Sequence, residues 1–138
     1  MTVLDAYALI AYVIGGPAQE KVIAILREGK TAIATANLIE VFDVVGRQHE
    51  YPVRRVSEIL DPLFAGSLSV VHLDEHLARR AAELRVEYYH RSRSPLSLAD
   101  VVLIASAQAG DRIATADPDV LGVAATLGIE TVVLPGQG

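Results

Sequence analysis

The sequence predicts a single α/β domain: a mostly parallel central sheet with helices on both faces, a three-layer sandwich. Two observations predict it. Short, mostly apolar runs (TVLD, TAIAT, SLSVVHL, RIATA and ETVVL) recur along the 138 residues, as strands buried on both faces read. Between them lie longer stretches with apolar residues at helical spacing, so strands and helices alternate. No repeat, low-complexity segment or linker interrupts this pattern, so residues 1–138 are read as one domain, long enough for one substantial core.

The elements follow in order. A strand at 2–5 runs into a helix, AYALIAYVI, stopped by Gly15-Gly16-Pro17. A second helix covers about 17–28, with Val22, Ile23 and Leu26 inward and Gly29 as its stop. Strand 31–35 leads to a helix at 37–48, and Pro52 opens another at 52–64. Strand 67–73 precedes a helix in which Leu77, Ala81, Leu84 and Tyr88 recur at helical spacing. A basic loop, HRSRSP, then leads to helix 98–109, strand 112–116, helix 118–127 and strand 130–134.

Composition narrows the chemistry. Hydrophobic residues make up 51% and charged residues 21%, which excludes disorder and leaves apolar surface for a partner. There is no cysteine, so disulfides, thiolate metal sites and cysteine nucleophiles are excluded. A net charge of −5 disfavours nonspecific whole-surface binding of nucleic acid, but not a nucleic-acid enzyme with acids clustered at a metal. MTVLDAYALIAYVIGG lacks a basic start and a cleavage pattern, and no apolar run approaches a membrane span. A cytoplasmic protein without membrane contact is expected. Phosphate-cradling glycine motifs and the G-x-S-x-G elbow are absent, and the four histidines show no ligand spacing.

The acids fall at repeated places. Asp5 ends the first strand, Glu40 lies one turn into the helix after the second, and Asp117 directly follows strand 112–116. Asp100 sits in the first turn of the helix before that strand. In open parallel sheets, ligands bind outside the carboxyl ends of the strands. Capping accounts for each acid separately: Asp5 and Asp117 as N-caps, Ser97 with Asp100 as S-x-x-D, and Asn37 with Glu40 as N-x-x-E. The conjunction is harder to explain, because Ser, Thr or Asn would cap as well. Converging carboxylates repel by about 4 kcal/mol at 4 Å and an effective dielectric of 20. Either some of them bind protons or a hard cation sits among them, Mg²⁺ or Mn²⁺.

The ordered set D … N-x-x-E … S-x-x-D … T-x-D resembles the PIN-domain nucleases, and within them the VapC-type toxins of toxin–antitoxin pairs. VLDAYALIAYV, TANLIEVFDVV, LSLADVVLIASAQAGDRIATAD and GIETVVL carry the resemblance, which spans nearly the whole chain. It implies a PIN-like sandwich in which Asp5, Glu40, Asp100 and Asp117 are the catalytic, metal-holding acids, with Asp119 an alternative fourth. Asn37, Ser97 and Thr115 match supporting positions that orient carboxylates by hydrogen bonds. The implied activity is a Mg²⁺- or Mn²⁺-dependent endoribonuclease leaving a 5′-phosphate and a 3′-hydroxyl. The implied partners are RNA, a small antitoxin and a second copy of the chain.

Other features weigh less. Arg91 and Arg93 are read either as a solvated loop or as a phosphate-steering patch. Asp43, at i+3 from Glu40, is read as a surface acid or as a neighbour of the site. A housekeeping RNA-processing nuclease and a non-catalytic RNA-binding or assembly subunit are the competing functions.

Overall fold

The computed structural model describes residues 1–136. Five strands form one parallel sheet: β1 (Thr2–Leu4), β2 (Thr31–Ala34), β3 (Leu68–Val71), β4 (Arg112–Thr115) and β5 (Glu130–Val133). Their order is β3-β2-β1-β4-β5, and all four pairings are parallel. Seven helices accompany them among the described residues: α1 (Ala6–Ile14), α2 (Gln19–Glu28), α3 (Thr35–His49), α4 (Val53–Phe64), α5 (Glu75–Tyr88), α6 (Leu98–Ser106) and α7 (Pro118–Leu127). No single helix among these residues is long and apolar enough to cross a membrane.

The alternation of side chains along the strands builds two cores. Leu4, Ile33 and Ala114 face one side and pack with Leu9, Val22, Val41, Val56 and Leu60 from α1 to α4. Val3, Ala34 and Ile113 face the other and pack with Leu84, Leu103, Ile104 and Val120 from α5, α6 and α7. Burying each large aliphatic side chain stabilises the fold by roughly 1.5–3 kcal/mol. Leu103 is fully buried in the helix that carries Asp100. Leu103→Ala is expected to lower unfolding free energy by about 3 kcal/mol, read as an earlier urea midpoint at unchanged m-value.

The expected architecture is observed, with boundaries moved for identifiable reasons. Gly15 and Gly16 adopt φ of 84° and 134°, which ends α1 before Pro17, and the next helix starts only at Gln19. Along α2 the buried residues are Val22, Ile25 and Leu26, so Ile25 takes the inward place expected of Ile23. The helix expected over 98–109 ends at Ser106, because the Asp111 carboxylate accepts from the Gln108 N–H at 2.9 Å and turns the chain. At α3 the helix begins two residues before Asn37, at Thr35, whose hydroxyl donates to the Val71 carbonyl at 3.1 Å.

That early start overturns the N-x-x-E capping reading. Asn37 lies inside the helix, fully buried, and its Nδ2 donates across to the Ala99 carbonyl of α6 at 3.3 Å. It ties α3 to the turn that carries Asp100. Its Oδ1 is buried without a partner among the described residues.

Candidate active site

The strand order places the site. From β1 the chain moves to β2 and β3 on one side, then returns to place β4 and β5 on the other. The crevice at the carboxyl ends of β1 and β4 is therefore the topological switch point, where open parallel sheets bind ligands. Register pairs Leu4 with Ala114, so Asp5 and Thr115 leave the sheet side by side.

Asp5 occupies the N-cap position of α1 but makes no side-chain capping bond, contrary to the capping reading. Its Oδ2 instead accepts from the fully buried Thr115 hydroxyl at 2.6 Å. The same Thr115 oxygen accepts from the Asp117 N–H at 3.0 Å. One hydroxyl thus fixes the carboxylate after β1 and the backbone that presents the acid after β4, which is the physical content of T-x-D.

Asp117 does cap its helix. Its Oδ1 accepts from the Asp119 N–H at 2.8 Å, with Pro118 at the first helical position. Ser97 and Asp100 form the expected reciprocal box: the Ser97 hydroxyl accepts from the Asp100 N–H at 3.1 Å, and Asp100 Oδ2 accepts from the Ser97 N–H at 2.8 Å. One oxygen of Asp100 is held by the cap. Capping and ligand binding are compatible in one carboxylate, because the other oxygen has its own lone pairs.

Asp5, Glu40, Asp100, Asp117 and Asp119 line a single cavity of about 560 Å³. None of its described lining residues is lysine or arginine. Three of them, Asp5, Glu40 and Asp100, hold protons more tightly than usual, first of all because they are buried. Asp5, 9% exposed, is pushed up to about 6, mainly by burial, with the charges of Asp100 and Asp117 adding to it. The Thr115 hydroxyl and the Ala6 N–H act in the opposite direction. Glu40, half-buried, rises to about 7 through burial and then the charges of Asp5, Asp100 and Asp43. Burial also raises Asp100, reinforced by Asp117 and Asp119 and opposed by its bonds to Ser97.

The carboxylates are the donor set of a hard cation, with no soft ligand among them. As placed, no group of three or more His, Asp or Glu among the described residues stands close enough to hold a metal ion. The arrangement therefore does not fit a full protein cage of the Ca²⁺ type. It does fit a cation kept by one or two carboxylates and several waters, the usual manner of Mg²⁺.

The other sequence-predicted residues lie elsewhere. Asn37 and Ser97 touch the site only through α6, as described. Arg91 and Arg93 are exposed on a loop pinned by the His90–Ser94 bridge, and neither lines the cavity. Asp43 is exposed and bound by Arg47 at 2.8 and 2.9 Å, which holds its carboxyl below the usual range. The surface reading of Asp43 describes its contacts, although its charge still reaches Glu40.

Sequence reasoning missed the rest of the wall: Tyr7, Ile10 and Ile14 of α1, with Val44, Gln48 and His49 of α3. The signal was available. Residues 7, 10 and 14 form one helical stripe, and 44 and 48 continue the stripe of Glu40. A second cavity, about 590 Å³, opens between the C-terminal ends of α6 and α7, at the opposite edge of the sheet. Among the described residues its acids are Asp111, which is tied to Gln108, and Glu130, without the carboxylate cluster of the first cavity.

Comparison with known proteins agrees with this fold. The chain resembles one chain of a toxin–antitoxin complex from Klebsiella pneumoniae over all of both chains, at 20% identity and a TM-score of 0.69. It resembles FitAcB from Neisseria gonorrhoeae over 95% of this chain and 96% of that one, at 22% identity and a TM-score of 0.66. It also resembles VapC20 from Mycobacterium tuberculosis, described as a sarcin–ricin-loop-cleaving toxin, over 99% and 91% of the two chains. There the identity is 14% and the TM-score 0.62. A sequence search of curated proteins finds no match. The PIN domain family profile matches residues 2–125, a span that contains every acid of the cavity, and the chain belongs to the PIN domain family.

Proposed function

We propose that this chain is a divalent-metal-dependent endoribonuclease and the toxin of a toxin–antitoxin pair. The observation that carries the reading is one cavity at the switch point, lined by acids from four separate segments and, among the described residues, by no lysine or arginine. Asp5, Glu40, Asp100 and Asp117 are the acids that would hold Mg²⁺ or Mn²⁺, one or two of them directly and the others through its bound waters, with Asp119 beside them. When bound there, the cation would supply polarisation of the scissile phosphate and a water of lowered pKa.

The chain's own groups do the rest. Thr115 and Ser97 fix the Asp5 and Asp100 carboxylates so that little reorganisation is needed when substrate arrives. Glu40, raised to about 7 in the metal-free chain, would accept a proton from the attacking water, and a cation beside it would lower that value and keep the carboxylate ionised. Hydrolysis then leaves a 5′-phosphate and a 3′-hydroxyl. Arg91 and Arg93, outside the cavity, serve long-range attraction of the RNA backbone rather than contact at the cleaved bond.

The toxin assignment draws on family membership and on the likeness to chains from toxin–antitoxin complexes. The likeness to a toxin that cuts the sarcin–ricin loop favours RNA as substrate. A small antitoxin and a second copy of this chain are the proposed partners, and the cytoplasm the proposed site of action.

The test assays purified wild type and Asp100→Asn on RNA with Mg²⁺, with Mn²⁺ and with EDTA. Cleavage is expected only for wild type with metal; cleavage that survives chelation or the substitution sinks the metal mechanism. Expression is expected to arrest growth, with relief by the small product of the neighbouring gene. Unimpaired growth would leave a nuclease that is not a toxin.

A further inference from the structure

We propose that the segment following β5, held in place by Tyr7, is a fixed rim of the acidic cavity, and that residue 136 in it sets how large a substrate reaches the carboxylates. Glycine at that position admits a polynucleotide; a large side chain would restrict the site to short fragments. This deepens the nuclease reading and rests on it.

The segment is pinned residue by residue. The parallel ladder between β4 and β5 ends with Thr115 opposite Val133. Immediately beyond it the Leu134 N–H donates to the Thr115 carbonyl at 2.9 Å, and the Leu134 side chain is buried in the core that α1 to α4 cover. Lys21 of α2 donates from Nζ to the Val133 carbonyl at 2.7 Å. Tyr7 of α1 donates from its hydroxyl to the Pro135 carbonyl at 2.6 Å. Three successive residues are thus tied to three separate elements, and the Pro135 ring locks its own φ. Gly136 follows directly and lines the cavity together with Asp5, Glu40, Asp100 and Asp117.

Thr115 gives the rim its register. Its hydroxyl holds the Asp5 carboxylate and the Asp117 N–H, while its carbonyl holds Leu134. The acids and the rim are therefore positioned from one residue.

Core stability does not explain the last of these bonds. Leu134 is buried, but Pro135 and Gly136 are exposed, so Tyr7 fixes a stretch of backbone with no apolar side chain to bury. Gly136 is exposed and yet lines the cavity, which places it at the mouth, whereas Asp5 lies nearly buried. A Cβ at position 136 would meet no described atom within 4 Å, and the φ there is outside the left-handed region. Neither packing nor backbone conformation requires this glycine. What its missing side chain leaves is space at the mouth of a cavity of about 560 Å³, the size of a small-molecule site. A short fragment can lie within such a site; a longer RNA has to cross its mouth.

The experiment replaces Gly136 with Ala, Leu and Trp. On an Asp100→Asn background, fluorescence anisotropy with Mg²⁺ measures binding of a labelled RNA oligonucleotide. In the chain with Asp100 intact, kcat/KM is compared for that oligonucleotide and for a dinucleoside monophosphate. Affinity for the oligonucleotide is expected to fall in step with side-chain size, by about tenfold or more for Gly136→Trp. The ratio of kcat/KM, oligonucleotide over dinucleotide, is expected to fall with it. Adding Tyr7→Phe to Gly136→Trp is expected to recover part of the lost affinity, because the rim can then move aside. A Tyr7 hydroxyl that served folding alone would give no recovery, which would remove Tyr7 as the positioning residue. Unchanged affinity across the series overturns the proposal, as does tighter RNA binding by Gly136→Trp or an equal fall for both substrates. The melting temperature of Gly136→Trp at pH 8 is expected to rise with Mg²⁺; loss of that response would put residue 136 at the metal and overturn the rim. A size-graded loss of RNA binding in a chain whose wild type fails to cleave RNA would sink the nuclease reading and leave the rim standing.

Discussion

Asp5→Asn is expected to abolish RNA cleavage while raising the stability of the metal-free protein at pH 8. The two effects have one cause. Asp5 is 9% exposed and its pKa is pushed up to about 6 from 3.8, so the folded state holds its proton more tightly than the unfolded chain does. The stabilisation from that proton is fully present below 3.8 and is lost as pH rises through about 6. At pH 8 the buried charge costs about 3 kcal/mol, an order-of-magnitude figure from two pKa units. Asparagine removes the charge yet keeps an oxygen to accept from the Thr115 hydroxyl. Melting of the variant in EDTA at pH 8 is expected about 5–10 °C above wild type. Cleavage is expected to fall by about a hundredfold or more, as electrostatic groups at reacting phosphates do when removed. A variant that melts lower than wild type at pH 8 would show Asp5 to be a structural carboxylate. One that still cuts would remove Asp5 from the chemistry.

Wild-type protein in EDTA should lose thermal stability between pH 5 and pH 8, and Mg²⁺ or Mn²⁺ should restore it at pH 8. The loss follows the deprotonation of Asp5 through about 6 and Glu40 through about 7, with Asp100 raised in the same direction. All three shifts have the same sign, so each contributes stability at low pH that disappears at high pH. Glu40 is half-exposed, and solvent screening makes its share smaller than that of Asp5. A cation competes with protons for these oxygens and binds only the folded state, worth about 3 kcal/mol at a hundred times its dissociation constant. The expected readout is a melting temperature that responds to millimolar Mg²⁺ at pH 8 and hardly at pH 5. Asp100→Asn should remove much of that response. A melting temperature flat across this pH range, or blind to both metals at pH 8, would leave the cluster without its proposed occupant.

Much of this was legible in the sequence because the signals were local. Ser97-x-x-Asp100 and Asp117-Pro118 specify their own caps over three residues, and the structure forms both. Asp5 and Asn37 read equally well as caps, and both readings fail. Thr115 lies 110 residues from Asp5 and Ala99 lies 62 from Asn37, so no local pattern reveals the partner that outcompetes the cap. The apolar wall went unread for a related reason. Ile10 and Val44 look like any core residue until the helices are docked and one face is left uncovered.

The sequence by itself determined the alternation of strands and helices, the two-sided burial of the strands and the order of the acids, because periodicity and turn chemistry are written within a few residues. Only the tertiary structure decided that β4 returns beside β1 and sets Asp5 against Thr115. It also decided that the acids share one cavity and that the proton affinities of Asp5, Glu40 and Asp100 rise. Those properties depend on burial and on distances between segments remote in the chain, and neither exists before the sheet is assembled.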